Sequence, residues 1–325
     1  MARIAITDGM SDGAMKILSD AGHEISSEHF EPPDLLSGVL STFDAVIVRS
    51  ATKMTREVIT SSITESNGIQ FIGRAGVGID NIDLEAATEH GIIVCNTPGA
   101  STRSVVELTI GHLLSSVRNI PRADRTMRAG SWEKKTLRGS EIYGKRLGLI
   151  GFGRIARGVA DAARSLGMEI HAFDPYVENG SIDPSMCTLH EELDDIFTIC
   201  THISVHCNFS EETKHIVNSD RISLMTGVGA DGIECGNHLI SCARGGIIDE
   251  DAALKALESG QLSSLALDVF ETEPPDQSPL LAHDDFHGSP HIAASTMEAQ
   301  ARIGVEMANT LLEFLDGIRP VNSLN

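Results

Sequence analysis

The sequence predicts an α/β protein made of two doubly wound parallel-sheet domains. Three observations predict it. The chain has 325 residues, too many for one small core and enough for two domains. Short apolar, β-branched runs alternate with amphipathic helical patterns. This alternation occurs in two series, separated by one long helical segment. Strands that read as continuous apolar runs between helices belong to parallel sheets covered on both faces.

In the first series RIAIT (3–7), AVIVR (45–49), IQFIG (69–73) and IIVCN (92–96) read as buried strands. Residues 101–118 read as one helix. Ser101 and Thr102 are its candidate caps, and Val105, Val106, Leu108, Leu113, Leu114 and Val117 supply apolar positions. The second series contributes RLGLI (146–150), EIHAF (169–173), ICTHISVH (199–206), HLISCA (238–243) and LALDVF (265–270), with helices such as 154–166 and 250–259 between them. The tail, 295–316, is again one amphipathic helix, and its position predicts a return to the first domain. PPDQSP (274–279) is a surface loop by composition. No repeat and no low-complexity tract interrupts this plan.

Composition is ordinarily globular, with 41% apolar and 22% charged residues. No apolar run reaches the roughly 18 residues of a membrane span. MARIAITDGM reads as a first strand, too soon polar for a signal peptide, so the cytoplasm is the expected compartment. Cys95, Cys187, Cys200, Cys207, Cys235 and Cys242 form no CxxC pair and no zinc-like spacing. They read as buried free thiols, and no metal site is expected. The 25 Lys and Arg against 46 Asp and Glu give a net charge of −21. Such a surface excludes nucleic acid and anionic membrane as expected partners. With only seven lysines it also predicts adaptation to a saline setting; activity that falls steadily as salt is added from low concentration contradicts that.

Residues 146–156, RLGLIGFGRIA, carry the first chemical signal. A strand runs into Gly151-x-Gly153-x-x-Ala156, followed by a helical pattern. Gly151 permits a tight turn, Gly153 lets the backbone approach a pyrophosphate, and Ala156 keeps helix and strand close. The helix N-terminus offers unpaired N–H groups to phosphates. The next strand ends at Asp174, 23 residues after Gly151, where a carboxylate can accept the ribose hydroxyls. A carboxylate there repels the additional phosphate of NADP, so NAD is the expected cofactor.

Three polar residues stand out later: Arg244 in SCARGGIIDE, Glu273 in DVFETEPP and His291 in SPHIAAST. A hydride exchange at a hydroxyl carbon needs an acid/base near neutral pH, for which His is suited. A carboxylate on its other nitrogen fixes the tautomer. An Arg fork can clamp a substrate carboxylate. Spacing alone does not distinguish this trio from structural residues.

The sequence resembles the D-2-hydroxyacid dehydrogenase family over nearly its whole length, most of all the phosphoglycerate branch. The resemblance rests on VRSATK (48–53), GRAGVGIDNIDLEAAT (73–88), NTPGAST (96–102), SVVELT (104–109) and GSWEKK (130–135). It continues through LGLIGFGRIA with FDPY, then CARGGIIDEDA, ALDVFETEPP, SPHIAASTMEAQ and PVN (320–322).

The resemblance implies a role for each matching position. Arg244 would bind the substrate carboxylate and keto oxygen, and His291, paired with Glu273, would exchange the proton. Asp268 would hold the nicotinamide amide. Arg154 and Ile155 would sit on the pyrophosphate and Asp174 on the ribose. Cys207 would lie beside the adenosine, as a wall atom more than a reactive thiol. Cys242, Ala243, Ala293 and Ala294 would flank the nicotinamide, with Val77, Arg244 and His291 also at the cofactor. Arg49 and Ser50 would reach a distal phosphate, and the Val77 and Gly78 N–H groups would hold the carboxylate end.

Some positions depart from the family. Ser101 stands where the phosphoglycerate branch usually has Asn, and its hydroxyl reaches less far. Lys134 stands where some relatives place Arg near the phosphate, giving charge without the fork. Between Met225 and Arg244 the crossing is about eight residues longer than usual, read as a longer surface turn, with an active-site flap or a subunit contact as alternatives. The regulatory domain of longer relatives is not expected after PVNSLN.

The expectation is therefore a Rossmann-like NAD domain over 101–291 inserted into a flavodoxin-like substrate domain formed by 1–100 and 292–325, with substrate and nicotinamide meeting in the cleft between them. The resemblance implies NAD-linked oxidation of D-3-phosphoglycerate to 3-phosphohydroxypyruvate or its reverse, the first step of serine biosynthesis, in a homodimer or larger homo-oligomer. A reductase of glyoxylate, hydroxypyruvate or another short 2-keto acid is the rival within the class. An NAD-sensing corepressor is the rival outside enzymes.

Overall fold

The computed structural model describes residues 1–64, 67–178 and 180–325. The chain divides into two compact units, Met1–Thr102 with Ala294–Asn325, and Arg103–Ala293. Each contains one all-parallel sheet.

The first unit has five strands: β1 (Arg3–Ile6), β2 (Glu24–Ser27), β3 (Ala45–Val48), β4 (Phe71–Arg74) and β5 (Ile93–Asn96), in the order β2-β1-β3-β4-β5. Period-two alternation sends successive side chains to opposite faces, both buried. Ile4, Ile6, Ala45 and Ile47 enter one cluster, where α1 (Asp12–Asp20) and α11 (Met297–Leu315) cover the sheet. Ala5, Val46, Val48 and Ile72 enter the other, beneath α2 (Pro32–Leu36), α3 (Arg56–Ser61) and α4 (Leu84–Glu89). The α1–α11 contact is close because Gly304 faces Ala14; a Cβ on Gly304 would lie 2.8 Å from that of Ala14. The tail covers the β5 edge. Cys95 forms an antiparallel bridge with Ser323, and the Asn325 carboxamide oxygen accepts from the Val94 N–H at 2.9 Å.

The second unit follows α5 (Thr102–Val117) and α6 (Ile120–Arg128). Its strands are β6 (Arg146–Ile150), β7 (Glu169–Phe173), β8 (Thr188–His190), β9 (His202–Val205), β10 (His238–Ser241), β11 (Ser264–Leu267) and β12 (Phe286–Gly288). Their order, β12-β11-β10-β9-β6-β7-β8, is the doubly wound arrangement with one further strand at the edge. Leu147, Leu149, Ile170 and Ala172 pack on one face with α5 and α7 (Arg154–Ser165). Ile150, Ile203, Val205, Leu239 and Leu265 pack on the other, with α8 (Leu193–Ile199), α9 (Ser219–Leu224) and α10 (Glu250–Ser259).

The interior strands lie where their apolar runs predicted, with corrected ends. Chain expected as strand at 49, 206, 242–243 and 268–270 is loop, because it turns away at the carboxyl edge of its sheet. The polar edge strands β2, β8 and β12 carry too few buried side chains to show as apolar runs. The 274–279 loop ends in a 3₁₀ turn at Pro279–Ala282. All six cysteines are free, five buried and Cys207 half-buried. No helix among the described residues is long and apolar enough to cross a membrane.

The long crossing before β10 is a tight turn. Val228 bridges Glu234 in antiparallel fashion, and Asp231 pairs with the buried ammonium of Lys145. It precedes β10, at the amino edge of the sheet, whereas Arg244 follows β10 at the carboxyl edge. That position corrects the flap alternative: the extra chain is not at Arg244.

Candidate active site

In the second unit every predicted site residue between Gly151 and His291 follows the carboxyl end of a parallel strand or lies near it. Gly151 follows β6, Asp174 follows β7, Cys207 lies just past β9, Arg244 past β10, Asp268 directly after β11 and His291 past β12. In a doubly wound sheet this edge, at the point where strand order reverses, is where ligands bind. Here the reversal lies between β6 and β9.

The glycine turn is built for a close ligand. Gly151 has φ +88°, and a Cβ there would stand 2.8 Å from the Cys207 nitrogen. Gly153 precedes α7, and a Cβ there would enter open space. That space is where a pyrophosphate would meet the first N–H groups of α7, which no side chain of the Gly153 cap position covers. Ala156 is fully buried against the sheet. Arg154 is exposed at the first helical position and Ile155 is half-buried. Asp174 accepts the Phe152 N–H at 2.7 Å and the Tyr176 N–H at 2.9 Å, which aims its carboxylate beside the turn. These residues fit a dinucleotide.

The two cysteines expected beside the cofactor are not reactive thiolates. Burial pushes the Cys207 thiol up to about 11 and the Cys242 thiol up to about 12, so neither is a thiolate near neutrality. Cys242 packs with Val105 and Ala293 in a small apolar cluster. Ala243 is half-buried beside Arg244, whose Nη1 donates to the Ala243 carbonyl at 2.7 Å.

The structure brings Glu273 and His291 together. Nδ1 of His291 lies 2.8 Å from Glu273 Oε2, while Glu273 Oε1 accepts the Phe270 N–H at 3.1 Å. Burial raises the Glu273 carboxyl, but the His291 hydrogen bond and charge, the Phe270 N–H and the charge of Arg244 together hold it below its ordinary value. The carboxylate assigns the His291 tautomer: Nδ1 carries the proton and Nε2 is left without one. The loop ahead of Glu273 is tied to α10, since Glu271 N–H donates to Glu250 at 2.6 Å and Glu250 N–H donates to Glu271 at 3.1 Å.

Asp268, expected at the nicotinamide amide, is fully buried. Its carboxylate takes Ser289 Oγ at 2.5 Å, Ile292 N–H at 2.9 Å and Ala293 N–H at 2.8 Å. Its carbonyl takes the His291 N–H at 2.8 Å. His291 itself sits at φ +52°, a left-handed conformation uncommon for a residue other than glycine. Asp268 therefore anchors the turn that presents His291, a function that sequence spacing does not reveal. Ala294 lies just beyond, its carbonyl accepting from Gln300 at 2.7 Å.

In the first unit the predicted substrate residues also lie at the carboxyl edge of the sheet. Arg49 and Ser50 follow β3, and Val77 and Gly78 lie just past β4. Asp8 accepts the Arg49 N–H at 2.6 Å and the Thr52 N–H at 3.1 Å, while Asn81 donates to both of their carbonyls at 2.7 Å. Residues 49–52 are thus pinned from both sides. Arg74, which sequence reasoning missed, donates to Ser50 Oγ at 3.0 Å and adds a second guanidinium beside Arg49's loop. Its place at the end of β4 was the available signal. The Val77 carbonyl accepts from Asn96 at 2.7 Å. Ser101 is buried, and Lys134 is exposed in the second unit.

The family described as D-isomer specific 2-hydroxyacid dehydrogenase, NAD binding domain, matches residues 110–293. The chain is 40% identical over its whole length to D-3-phosphoglycerate dehydrogenase of Methanocaldococcus jannaschii, of which it spans 60%. It is 39% identical to hydroxypyruvate reductase of Thermotoga maritima, over 96% of this chain and 98% of that one. Among solved structures, the TT0316 protein of Thermus thermophilus superposes with a TM-score of 0.87 at 28% identity, covering 99% of this chain and 100% of the other. The glycine turn, the paired Glu273 and His291 and these matches lead to one conclusion: the chain belongs to the D-isomer specific 2-hydroxyacid dehydrogenases, with its NAD-binding domain at residues 110–293.

Proposed function

We propose that this protein catalyses the NAD-linked interconversion of D-3-phosphoglycerate and 3-phosphohydroxypyruvate, with the first unit holding substrate and the second holding NAD. The observation that carries the reading is the 2.8 Å contact between Glu273 and His291 in an NAD-binding domain. It is the arrangement an acid/base histidine needs.

NAD, when bound, supplies the hydride acceptor. The Arg244 guanidinium clamps the substrate carboxylate and the reacting oxygen. In the oxidative direction His291 Nε2 takes the hydroxyl proton as the carbon gives up its hydride. Glu273 stabilises the imidazolium that results, and in the reverse direction the same Nε2–H returns the proton. The Val77 and Gly78 N–H groups receive the carboxylate end. Arg49 and Ser50 receive the distal phosphate. Ser101 replaces a carboxamide with a shorter hydroxyl.

Arg49, Ser50 and the neighbouring Arg74 favour a phosphorylated substrate, because a dianion needs cationic partners that short keto acids do not. The rival is reduction of hydroxypyruvate, favoured by the near full-length match to the Thermotoga maritima enzyme. Initial rates with NAD on D-3-phosphoglycerate and D-glycerate, and with NADH on hydroxypyruvate, separate them. The proposal expects kcat/KM for D-3-phosphoglycerate to exceed that for D-glycerate by about a hundredfold or more, and Arg49→Ala to remove most of that difference. Equal efficiency with the two acids, or a preference for hydroxypyruvate, overturns it.

We also infer a cytoplasmic homodimer formed through the NAD domain. Ile120, Met127 and Trp132 are exposed on and after α6 and give that unit an apolar surface to cover. Sedimentation of the purified protein as a monomer at micromolar concentration contradicts this.

A further inference from the structure

Behind the His291 turn lies a buried polar chain that the reaction does not itself require. His112, on α5, is buried on a face of the helix that also carries Thr109, Leu113 and Ser116. Its Nε2 lies 3.0 Å from Ser289 Oγ. Ser289 Oγ in turn lies 2.5 Å from Asp268 Oδ1, and Asp268 holds the backbone N–H groups of His291, Ile292 and Ala293.

The hydrogens can be placed by counting. The Ser289 hydroxyl has one proton, and the short contact to the Asp268 carboxylate, which also accepts two backbone N–H groups, takes it. Ser289 Oγ is then an acceptor toward His112, so His112 carries its proton on Nε2. The His287 ring packs against His112 with centroids 5.1 Å apart and fixes its orientation. Burial lowers the titration of both rings, that of His287 to about 4, which favours the neutral imidazoles near neutral pH. His112 Nε2–H is therefore the donor to Ser289 Oγ.

We propose that His112 is a positioning residue for the reaction: through Ser289 it fixes the Asp268 carboxylate, and through Asp268 the left-handed turn that aims His291. Asp268 ties the N–H groups of three consecutive residues, 291 to 293, to one side chain and one carbonyl. Ser289 supports Asp268 from one side, and His112 is what stops the Ser289 hydroxyl from rotating away. Without that donor Oδ1 loses a fixed partner, and a strained turn has one constraint fewer. A displacement of well under about 1 Å at Nε2 weakens proton transfer while leaving substrate and NAD contacts in place.

The inference rests on His291 being the acid/base. The test uses the full-length enzyme and compares His112→Leu, which keeps apolar packing but removes the donor, with His112→Gln, whose amide nitrogen falls near the position of Nε2. His112→Leu is expected to lower kcat about tenfold, with KM and the NAD dissociation constant within about twofold of wild type and Tm little changed. His112→Gln is expected to recover most of the lost kcat. Ser289→Ala is expected to show the same kcat loss, and the double variant His112→Leu/Ser289→Ala to lose no more than either single one. If His112→Leu fails to fold, Ser289→Ala and Ser289→Thr carry the same comparison, since Thr keeps the hydroxyl. Wild-type kcat in His112→Leu or in Ser289→Ala, equal impairment of the Leu and Gln variants, or additive losses in the double variant overturns the proposal. His291→Ala is assayed alongside. If it retains turnover, the acid/base assignment fails; if it is inactive while His112→Leu is normal, only the positioning role fails.

Discussion

His291 Nδ1 and Glu273 Oε2 lie 2.8 Å apart, on loops that follow different strands of one sheet. The pair is held from both ends. The Phe270 N–H orients the carboxylate, and Asp268 orients the imidazole through its backbone.

The pair has a charge requirement. Glu273 is held below its ordinary carboxyl value, so it is ionised throughout the neutral range. A depressed carboxyl stabilises the native state above its unfolded value, and that stabilisation is lost as pH falls through the lowered folded value. Glu273→Gln keeps the shape and removes the charge. It is expected to lower kcat about 10- to 100-fold at neutral pH, measured by steady-state NADH formation, with the fold intact by circular dichroism. An unchanged kcat contradicts the role.

Asp174 predicts cofactor preference. Its carboxylate stands beside the glycine turn, held by two backbone N–H groups. A second phosphate brought there meets like charge in a partly shielded site. Wild type is expected to favour NAD over NADP by at least about tenfold in kcat/KM, and Asp174→Ser to narrow that ratio. Equal efficiency of the wild type with both cofactors contradicts the assignment.

Desolvated histidines predict acid sensitivity. Desolvation lowers His206 and His238 to about 4, and lowers His202, stacked on His238, well below the ordinary value. These rings are neutral in the native state, whereas the unfolded chain takes up their protons below about pH 6.5. The unfolded state therefore binds more protons than the native state between about 6.5 and 4, and stability falls as pH drops through that window. His238, which is buried, accounts for roughly 3 kcal/mol over the whole interval. Urea midpoints at pH 7, 6 and 5 are expected to decline. A flat profile contradicts the burial of neutral rings.

The turn before β10 is expected to matter for stability and not for turnover. Lys145 has a side chain only 4% exposed, and Asp231 is its partner. Asp231→Ala leaves a buried ammonium without a counter-charge. The expected outcome is a Tm lower by several degrees with KM for substrate and NAD unchanged. A changed KM would restore the reading of this turn as a part of the site.

The sequence made the interior strands legible because each buries both faces and so reads as an apolar run. It also made the glycine turn legible, since Gly151 and Asp174 mark its two ends. The ends of strands were less legible. Val269 and Phe270 are as apolar as the strand before them, yet they belong to the loop that carries Glu273. Edge strands such as β2, with Glu24 and Ser27 exposed, carry no apolar signature. The polar supports were hidden for a different reason. A lone histidine in a helix stripe does not say what it faces, and only the fold brings His112 to Ser289. Arg74 reads as a strand terminus until Ser50 is seen beside it.

That His291 is the acid/base of an NAD-linked dehydrogenase is best tested by kcat of His291→Ala with D-3-phosphoglycerate and NAD, beside the NAD dissociation constant of the same variant. The expected result is a fall in kcat of about 10²- to 10⁴-fold with NAD binding within a few-fold of wild type. Turnover retained within about twofold is the opposite result, and so is a wild-type protein that binds NAD and turns over none of the 2-hydroxy acids.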